Sequence, residues 1–233
     1  MIEKKGVPST LVIVATLNEE EGVGPTLAEI KGSLDELSCL VVDGRSTDGT
    51  AKIAEQMGAE VVTQKGSGKG DAIATAIAHA QTIDAEYVAF IDADYTYPAG
   101  YLPQMIKILK ANPDVGMVCG NRFNGRFHLG SMHNMLYLGN RFLAFTHNFL
   151  NGIHLQDPLT GLRVAKWRRL LKDWRPRSKS FDVEVELNRY VEKKGYRIVE
   201  IPILYRKRLG EKKLKVRHGF TILARILMEK FEP

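Results

Sequence analysis

Cysteine is nearly absent from this chain, and the two it has, Cys39 and Cys119, sit in apolar, strand-like runs. That argues against a disulfide scaffold or a thiolate metal site and points to core thiols in a reducing compartment. The six histidines fall at no metal-ligand spacing. No run approaches the ~18 consecutive apolar residues of a membrane span. The opening stretch Met1–Gly6 lacks the apolar core of a secretory signal. Internal repeats, low-complexity segments and linkers are missing. The stretch Gly66–Asp71 imitates a nucleotide-triphosphate loop, but Thr63 stands where that motif needs glycine and Gly70 where it needs a hydroxyl. No RNA-binding signature accompanies the basic residues, so nucleic acid is not an expected partner.

What is present is an ordinary globular composition, 44% hydrophobic and 26% charged over 233 residues. The net charge of +6 is unevenly placed. Bases predominate from Arg163 to Arg217, in Lys166–Arg169, Arg175–Arg177, Arg206–Arg208 and Lys212–Lys215. Such a tilt suits phosphate on a nucleotide or a lipid surface, or is simply a solvated face.

The organising stretch is Val88–Pro98, an apolar β-rich run that ends in Asp92 and Asp94. Buried parallel strands read as continuous apolar runs, and ligands lie beyond their carboxyl ends. Read as a strand to Asp92, the pattern puts the two acids on one face. Close like charges repel unless a cation neutralises them, and Mg²⁺ is commonly held by one or two carboxylates plus substrate phosphates. Asp92 and Asp94 are thus candidate ligands for Mg²⁺ or Mn²⁺, with a pair of solvated turn acids as the alternative.

Around this stretch, strands are expected at Leu11–Thr16, Leu40–Asp43, Glu60–Thr63, Tyr87–Asp92, Val115–Cys119 and Arg197–Leu204. Helices should run to about Leu34 with Pro25 in the first turn, to Met57 from a Ser46 or Thr47 cap, and over Asp71–Gln81, Leu102–Ala111, Val164–Asp173 and Phe181–Gly195. Trp167 and Trp174 would share one helical face as packing residues. The alternation argues for βαβ units and a mostly parallel sheet flanked by helices. Asn18, Glu19, Asp43, Lys69, Asp92, Asp94, Asn121 and Arg122 would then crowd one sheet edge. Lys69, at a helix start, is a candidate phosphate contact. Arg122 and Arg208 can bind phosphates bidentately. His133–Asn151 is apolar around much of its circumference, as a buried core helix or one lying in a membrane interface would be. His218–Phe231 is amphipathic and follows a dense basic run, as on a peripheral membrane enzyme.

Seven stretches in order, Ile13–Glu19, Val42–Thr50, Gly68–Gly70, Asp92–Asp94, Gly120–Phe123, Asp157–Arg163 and Arg208–Leu214, make the chain resemble the GT-A family 2 glycosyltransferases. Within them it is most similar to the dolichyl-phosphate mannose or glucose synthase type, including archaeal polyprenyl-phosphate enzymes. The resemblance implies a Rossmann-like α/β GT-A domain over residues 1–217 and a C-terminal amphipathic helix over 218–233. It implies a nucleotide-sugar donor, a dolichyl or polyprenyl phosphate acceptor, and peripheral attachment to the cytoplasmic face of the cell membrane, with a homo-oligomer or membrane partner allowed. Ala15, Leu17, Glu19, Val42, Asp43, Lys69 and Ala93 would surround the donor. Asp92 and Asp94 would hold the metal, and Arg122, Arg208 and Lys213 would contact phosphates, with Asp94, Arg122, Arg208 and Lys213 carrying catalysis. The segment Asp157–Gly161 would lie between donor and lipid phosphate.

Three departures from the family pattern matter. Gly44 stands where a second acid usually reads the base, Thr96 where glutamine often follows the metal pair, and Lys212 where serine precedes the final lysine. An ionised phosphate acceptor needs no general base, whereas a hydroxyl acceptor would, with Asp157, Asp182, Glu184 and Glu186 as candidates. A soluble glycosyltransferase acting on a small phosphorylated acceptor and a non-catalytic nucleotide-sugar or RNA-binding module are the competing readings.

Overall fold

The computed structural model describes residues 10–124, 134–215 and 217–231. Helices and strands alternate through β1 (Thr10–Thr16), α1 (Glu20–Ser33), β2 (Leu37–Asp43), α2 (Thr50–Gln56), β3 (Glu60–Thr63), α3 (Lys69–His79), β4 (Tyr87–Phe90), α4 (Leu102–Ala111) and β5 (Val115–Asn121). The second half adds α5 (Asn134–Asn151), β6 (Arg163–Lys166), α6 (Val183–Lys193), β7 (Arg197–Pro202) and α7 (Arg217–Phe231). Seven strands form one sheet in the order β3-β2-β1-β4-β6-β5-β7. All neighbours are parallel except β6, which is antiparallel to both β4 and β5. This is the α/β, mostly parallel architecture the sequence implies.

Strand alternation builds a core on each face of the sheet. Val12 and Val14 of β1 pack with Val23, Leu27 and Ile30 of α1 and with Leu102, Met105 and Leu109 of α4. Leu11 and Ile13 face the other way, onto Ile73 and Ile77 of α3 and Val183, Leu187 and Val191 of α6. Cys39 and Cys119 are free and buried, one in each core. A third cluster joins Leu143 of α5, Val185 of α6, and Ile222 and Ile226 of α7.

The segment Val164–Asp173, expected as an amphipathic helix, is instead β6 followed by a π-turn at Trp167–Leu171. Arg163–Lys166 is buried throughout and hydrogen-bonded on both edges, so sheet pairing overrides the helical spacing. Trp167 and Trp174 are core residues but do not share a helical face, because the π-turn stops at Leu171. Pro25 sits one turn further into α1 than expected. The chain enters that helix straight from β1, Glu19 O accepting from the N–H groups of Gly22 and Val23. Neither Ser46 nor Thr47 caps α2. Ser46 Oγ donates to Asp43 at 2.6 Å and the Thr47 N–H to Asn18 at 2.8 Å, leaving the Thr50 N–H to Asp48 at 3.0 Å. β4 stops at Phe90, so Asp92 and Asp94 stand on the turn beyond the strand rather than on its face.

Candidate active site

Every parallel strand delivers its carboxyl end to one edge of the sheet, and the site is built there. Among the described residues, the non-glycine positions with left-handed backbone are Asn18 (φ 50°), Arg45 (φ 64°) and Tyr95 (φ 65°), each just past the end of β1, β2 or β4. Strain of this kind gathers at ligand-binding edges. A cavity of about 410 Å³ opens along them, lined by residues of the β1, β2, β3 and β4 ends and by the Tyr205–Leu214 segment, and bordered by Asn140 of α5 and Ile222 of α7.

Asp92 and Asp94 both line this cavity. Asp92 Oδ1 accepts from Lys69 Nζ at 2.6 Å. Asp94 Oδ2 accepts from Arg208 at 2.8 Å, and its Oδ1 takes the Thr96 hydroxyl at 2.6 Å and the Thr96 N–H at 3.1 Å. Thr96 therefore orients Asp94 and does not line the cavity. Burial first, and the charge of Asp92 second, push the Asp94 carboxyl up from its ordinary value. Two acids so placed call for positive charge, and Glu19, one strand away, repeats the condition. Burial pushes Glu19 up to about 7 although Arg208 pairs with it, and Glu19 Oε2 is buried without a partner. Among the described residues no group of three or more metal-ligating side chains forms. Two carboxylates open to a cavity suit a divalent cation whose remaining ligands come from substrate phosphates and water.

Glycines set the approach of these parts. A Cβ on Gly22 of α1 would lie 2.5 Å from Ala93 O and 2.8 Å from Asp94 Cα, so the helix touches the backbone of the acidic turn only because Gly22 has no side chain. A Cβ on Gly161 would lie 2.7 Å from Asp92 Cγ. Gly70 meets the Ser178 backbone in the same way, a Cβ there lying 2.6 Å from Ser178 C. The Gly68-Lys69-Gly70 stretch is thus a close-packing device that aims Lys69 between Asp92 and Glu184, at 2.6 and 2.7 Å. Burial pulls the Lys69 ammonium down, but those two carboxylates hold it well above its ordinary value.

Cations line the same cavity. Arg122 is buried against Asp157, its Nε and Nη2 donating at 2.7 and 2.6 Å, while its own N–H reaches the same carboxylate at 3.0 Å. Its guanidinium also stands 5.4 Å from the Tyr205 ring. Lys213 Nζ donates to Asn18 O at 3.0 Å. Lys212 is held below its ordinary value by burial and then by Arg208 and Arg122. The crowding of Lys212 by Arg208 and Arg122 is the setting an anion would relieve.

Of the residues singled out in the sequence, Ala15, Leu17, Glu19, Lys69, Asp92, Ala93, Asp94, Arg122, Arg208 and Lys213 all line the cavity. Val42 and Asp43 do not. Val42 is fully buried in the core, and Asp43 is occupied by Thr16 and by Ser46, whose N–H it accepts at 2.9 Å. Residues not singled out, Gln64, Tyr97 and Tyr205, do line it. Gln64 was detectable only from sheet order, because β3 lies beside β2 and ends at the same edge.

The helix at 134–151 is buried on one face, at Leu143, Ala144 and His147, and exposed on the other. Leu138, Phe142, Phe145 and Phe149 of α5 are exposed, with Phe145 and Phe149 stacked at 6.1 Å, and α7, which packs against α5, exposes Phe220, Leu227, Met228 and Phe231. His133 and the side chains of Met135 and Leu136 lie outside the described residues. No helix among the described residues is long and apolar enough to cross a membrane.

Comparison with known proteins agrees with this architecture. Residues 11–170 match the Glycosyl transferase family 2. The chain is 35% identical over 205 residues to a dolichyl-phosphate hexose transferase of Haloferax volcanii, covering 87% of this chain and 85% of that one. It is 34% identical to the glycosyltransferase AglJ of the same organism, covering 83% of this chain but only 62% of the relative. Among solved structures, glucosyl-3-phosphoglycerate synthase of Mycobacterium tuberculosis with Mn²⁺, uridine diphosphate and glucosyl-3-phosphoglycerate superimposes with a TM-score of 0.74 at 22% identity, over 98% of this chain and 82% of that one. The shared fold, the family match and the relatives converge: this chain belongs to glycosyl transferase family 2.

Proposed function

We propose that the protein transfers a hexose from a nucleotide sugar to a polyprenyl phosphate at a membrane surface, with inversion and with a divalent cation. The observation that carries this reading is one cavity that brings together an acidic pair, a cluster of cations and, at its border, two helices with exposed aromatic faces. Its volume of about 410 Å³ falls in the range of small-ligand sites, roughly 300–1,000 Å³. A cation held by Asp92 and Asp94, as Mn²⁺ or Mg²⁺ accompanies uridine diphosphate in the fold relatives, would supply Lewis-acid charge to the leaving diphosphate.

The chain's own groups do the rest. Arg122, Arg208, Lys212 and Lys213 bind and orient the phosphates of donor and acceptor. Arg208 also bridges Glu19 and Asp94, tying the β1 and β4 ends into one rigid wall. None of the four acids suited to act as base is unpaired. Asp157 holds Arg122, Asp182 pairs with Arg225, Glu184 with Lys69, and Glu186 accepts the N–H groups of Arg177 and Ser178. This favours an acceptor that arrives ionised, as a phosphate monoester with a second pKa of about 6 does, over a sugar hydroxyl. Well-oriented reactants then account for much of the barrier reduction, roughly 7–11 kcal/mol. The name of the 35%-identical relative supports the lipid acceptor.

The aromatic faces of α5 and α7 suit insertion into the headgroup boundary, and the basic segment between β7 and α7 suits anionic headgroups. The test is incubation with nucleoside-diphosphate hexoses and Mn²⁺, with dolichyl phosphate in vesicles in one arm and 3-phosphoglycerate in the other. A lipid-linked hexose is the expected product. Transfer to the soluble phosphate alone, unaffected by vesicles, would overturn the lipid assignment.

A further inference from the structure

One end of the cavity lies between the ends of β1, β2 and β3. Its lining there includes Thr16, Leu17, Gly44, Ser67 and Gly68, and, just past β3, Gln64. Parallel pairing sets Thr63 opposite Asp43, and the Gln64 N–H continues the ladder onto Asp43 O at 2.8 Å, so Gln64 and Gly44 are lateral neighbours just past the sheet.

The Gln64 amide is fixed. The residue is only 4% exposed, and Nε2 donates to Gly68 O at 2.9 Å, which leaves Oε1 as the free end. No described residue donates to Oε1. It faces the space over Gly44, where a Cβ would lie 3.2 Å from Oε1 and 3.1 Å from Thr16 O. A side chain at position 44 would therefore crowd the Gln64 amide, and the glycine in this chain leaves the amide room. The result is a cavity end in which Gln64 Oε1 is an oriented acceptor that no described residue donates to. That is the complement of a nucleobase whose polar edge carries a ring N–H.

We propose that Gln64 is the base-reading residue: its Oε1 accepts the ring N–H of uracil or guanine and thereby selects donors bearing those bases over cytosine and adenine, which present an unprotonated ring nitrogen there. The inference rests on the reading of the cavity as a nucleotide-sugar site. An acceptor facing an acceptor is left unmade on both sides, which is why one amide oxygen can discriminate so strongly.

The experiment measures equilibrium binding of uridine, guanosine, cytidine and adenosine diphosphates and of inorganic pyrophosphate, each with Mn²⁺, to the full chain and to Gln64→Met and Gln64→Ala. The unaltered protein should bind uridine or guanosine diphosphate at least about tenfold more tightly than the other two. In both variants that preference should shrink to roughly threefold or less while pyrophosphate binding is kept, which also reports that the fold is intact. In Gly44→Asp combined with Gln64→Ala, an acid with room beside it should restore the preference. A preference that survives both single variants, or a native preference for cytidine or adenosine diphosphate, overturns the assignment of Gln64 and leaves the diphosphate site standing. Failure of the unaltered protein to bind pyrophosphate or any of the nucleotides overturns the donor-site reading and this inference with it.

Discussion

Replacing Asp157 by alanine removes both partners of a buried guanidinium at once. Asp157 is 1% exposed and Arg122 7%, and the carboxylate accepts three hydrogen bonds from Arg122, two from the side chain and one from the backbone. Breaking one side of a buried pair costs about 3–5 kcal/mol, because the surviving charge is left without compensation. Against a typical total stability of roughly 5–15 kcal/mol, that is a large fraction. With a urea m-value near 3 kcal/mol/M, the upper end for small domains, the unfolding midpoint of Asp157→Ala should fall by roughly 1–1.7 M. Arg122→Met combined with Asp157→Leu, which replaces the pair by apolar groups of similar size, should recover much of the loss, since such swaps are often neutral. The double-mutant cycle should then show strong non-additivity. A midpoint shift below about 0.3 M for Asp157→Ala, or simple addition of the two single effects, would refute the argument that this pair is a desolvated unit.

Two further outcomes follow from the same edge. In the metal-free protein Glu19 titrates near 7 against 4.5 when unfolded, so the unfolded state ionises first as pH rises. Stability therefore falls as pH rises from 4.5 to 7, and the stability difference between the native protein and Glu19→Gln should change over that window by at most about 3 kcal/mol, less what solvent screening removes; a flat difference in denaturant titrations would contradict it. Gly22→Ala should lower stability by about 1–3 kcal/mol through overpacking against the acidic turn, and should weaken Mn²⁺ binding as well. Gly32→Ala in the same helix meets nothing within 4 Å and should leave both unchanged or slightly improved, as thermal melts and metal titrations would report.

Much of this edge was legible in the sequence because the signals are local. Apolar runs ending in Asn18, Asp92 or Asn121 name both a strand and the direction in which it delivers its last residues. Where partners are distant the reading fails. The residues of β6 carry a helix-like spacing, yet their place between β4 and β5 is decided by pairing with residues more than 40 positions away in the chain, which no window over Arg163–Lys166 contains. Asp43 looked like a ligand-facing acid because it ends a strand, but the turn that follows folds Ser46 back onto it. Gln64 gave no local signal, since its role depends on the empty side of Gly44 in a neighbouring strand. Lys69 was visible as a cation at a helix start, while its two carboxylate partners come from β4's turn and α6.

The most direct test of the central claim is a titration of Mn²⁺ followed by electron paramagnetic resonance, in the presence of a nucleoside diphosphate, on the native protein and on Asp92→Ala and Asp94→Ala. The account predicts one tight site per chain in the native protein, dependent on the nucleotide and lost in both variants while their folds persist. Equal Mn²⁺ occupancy in the native protein and the variants would contradict it.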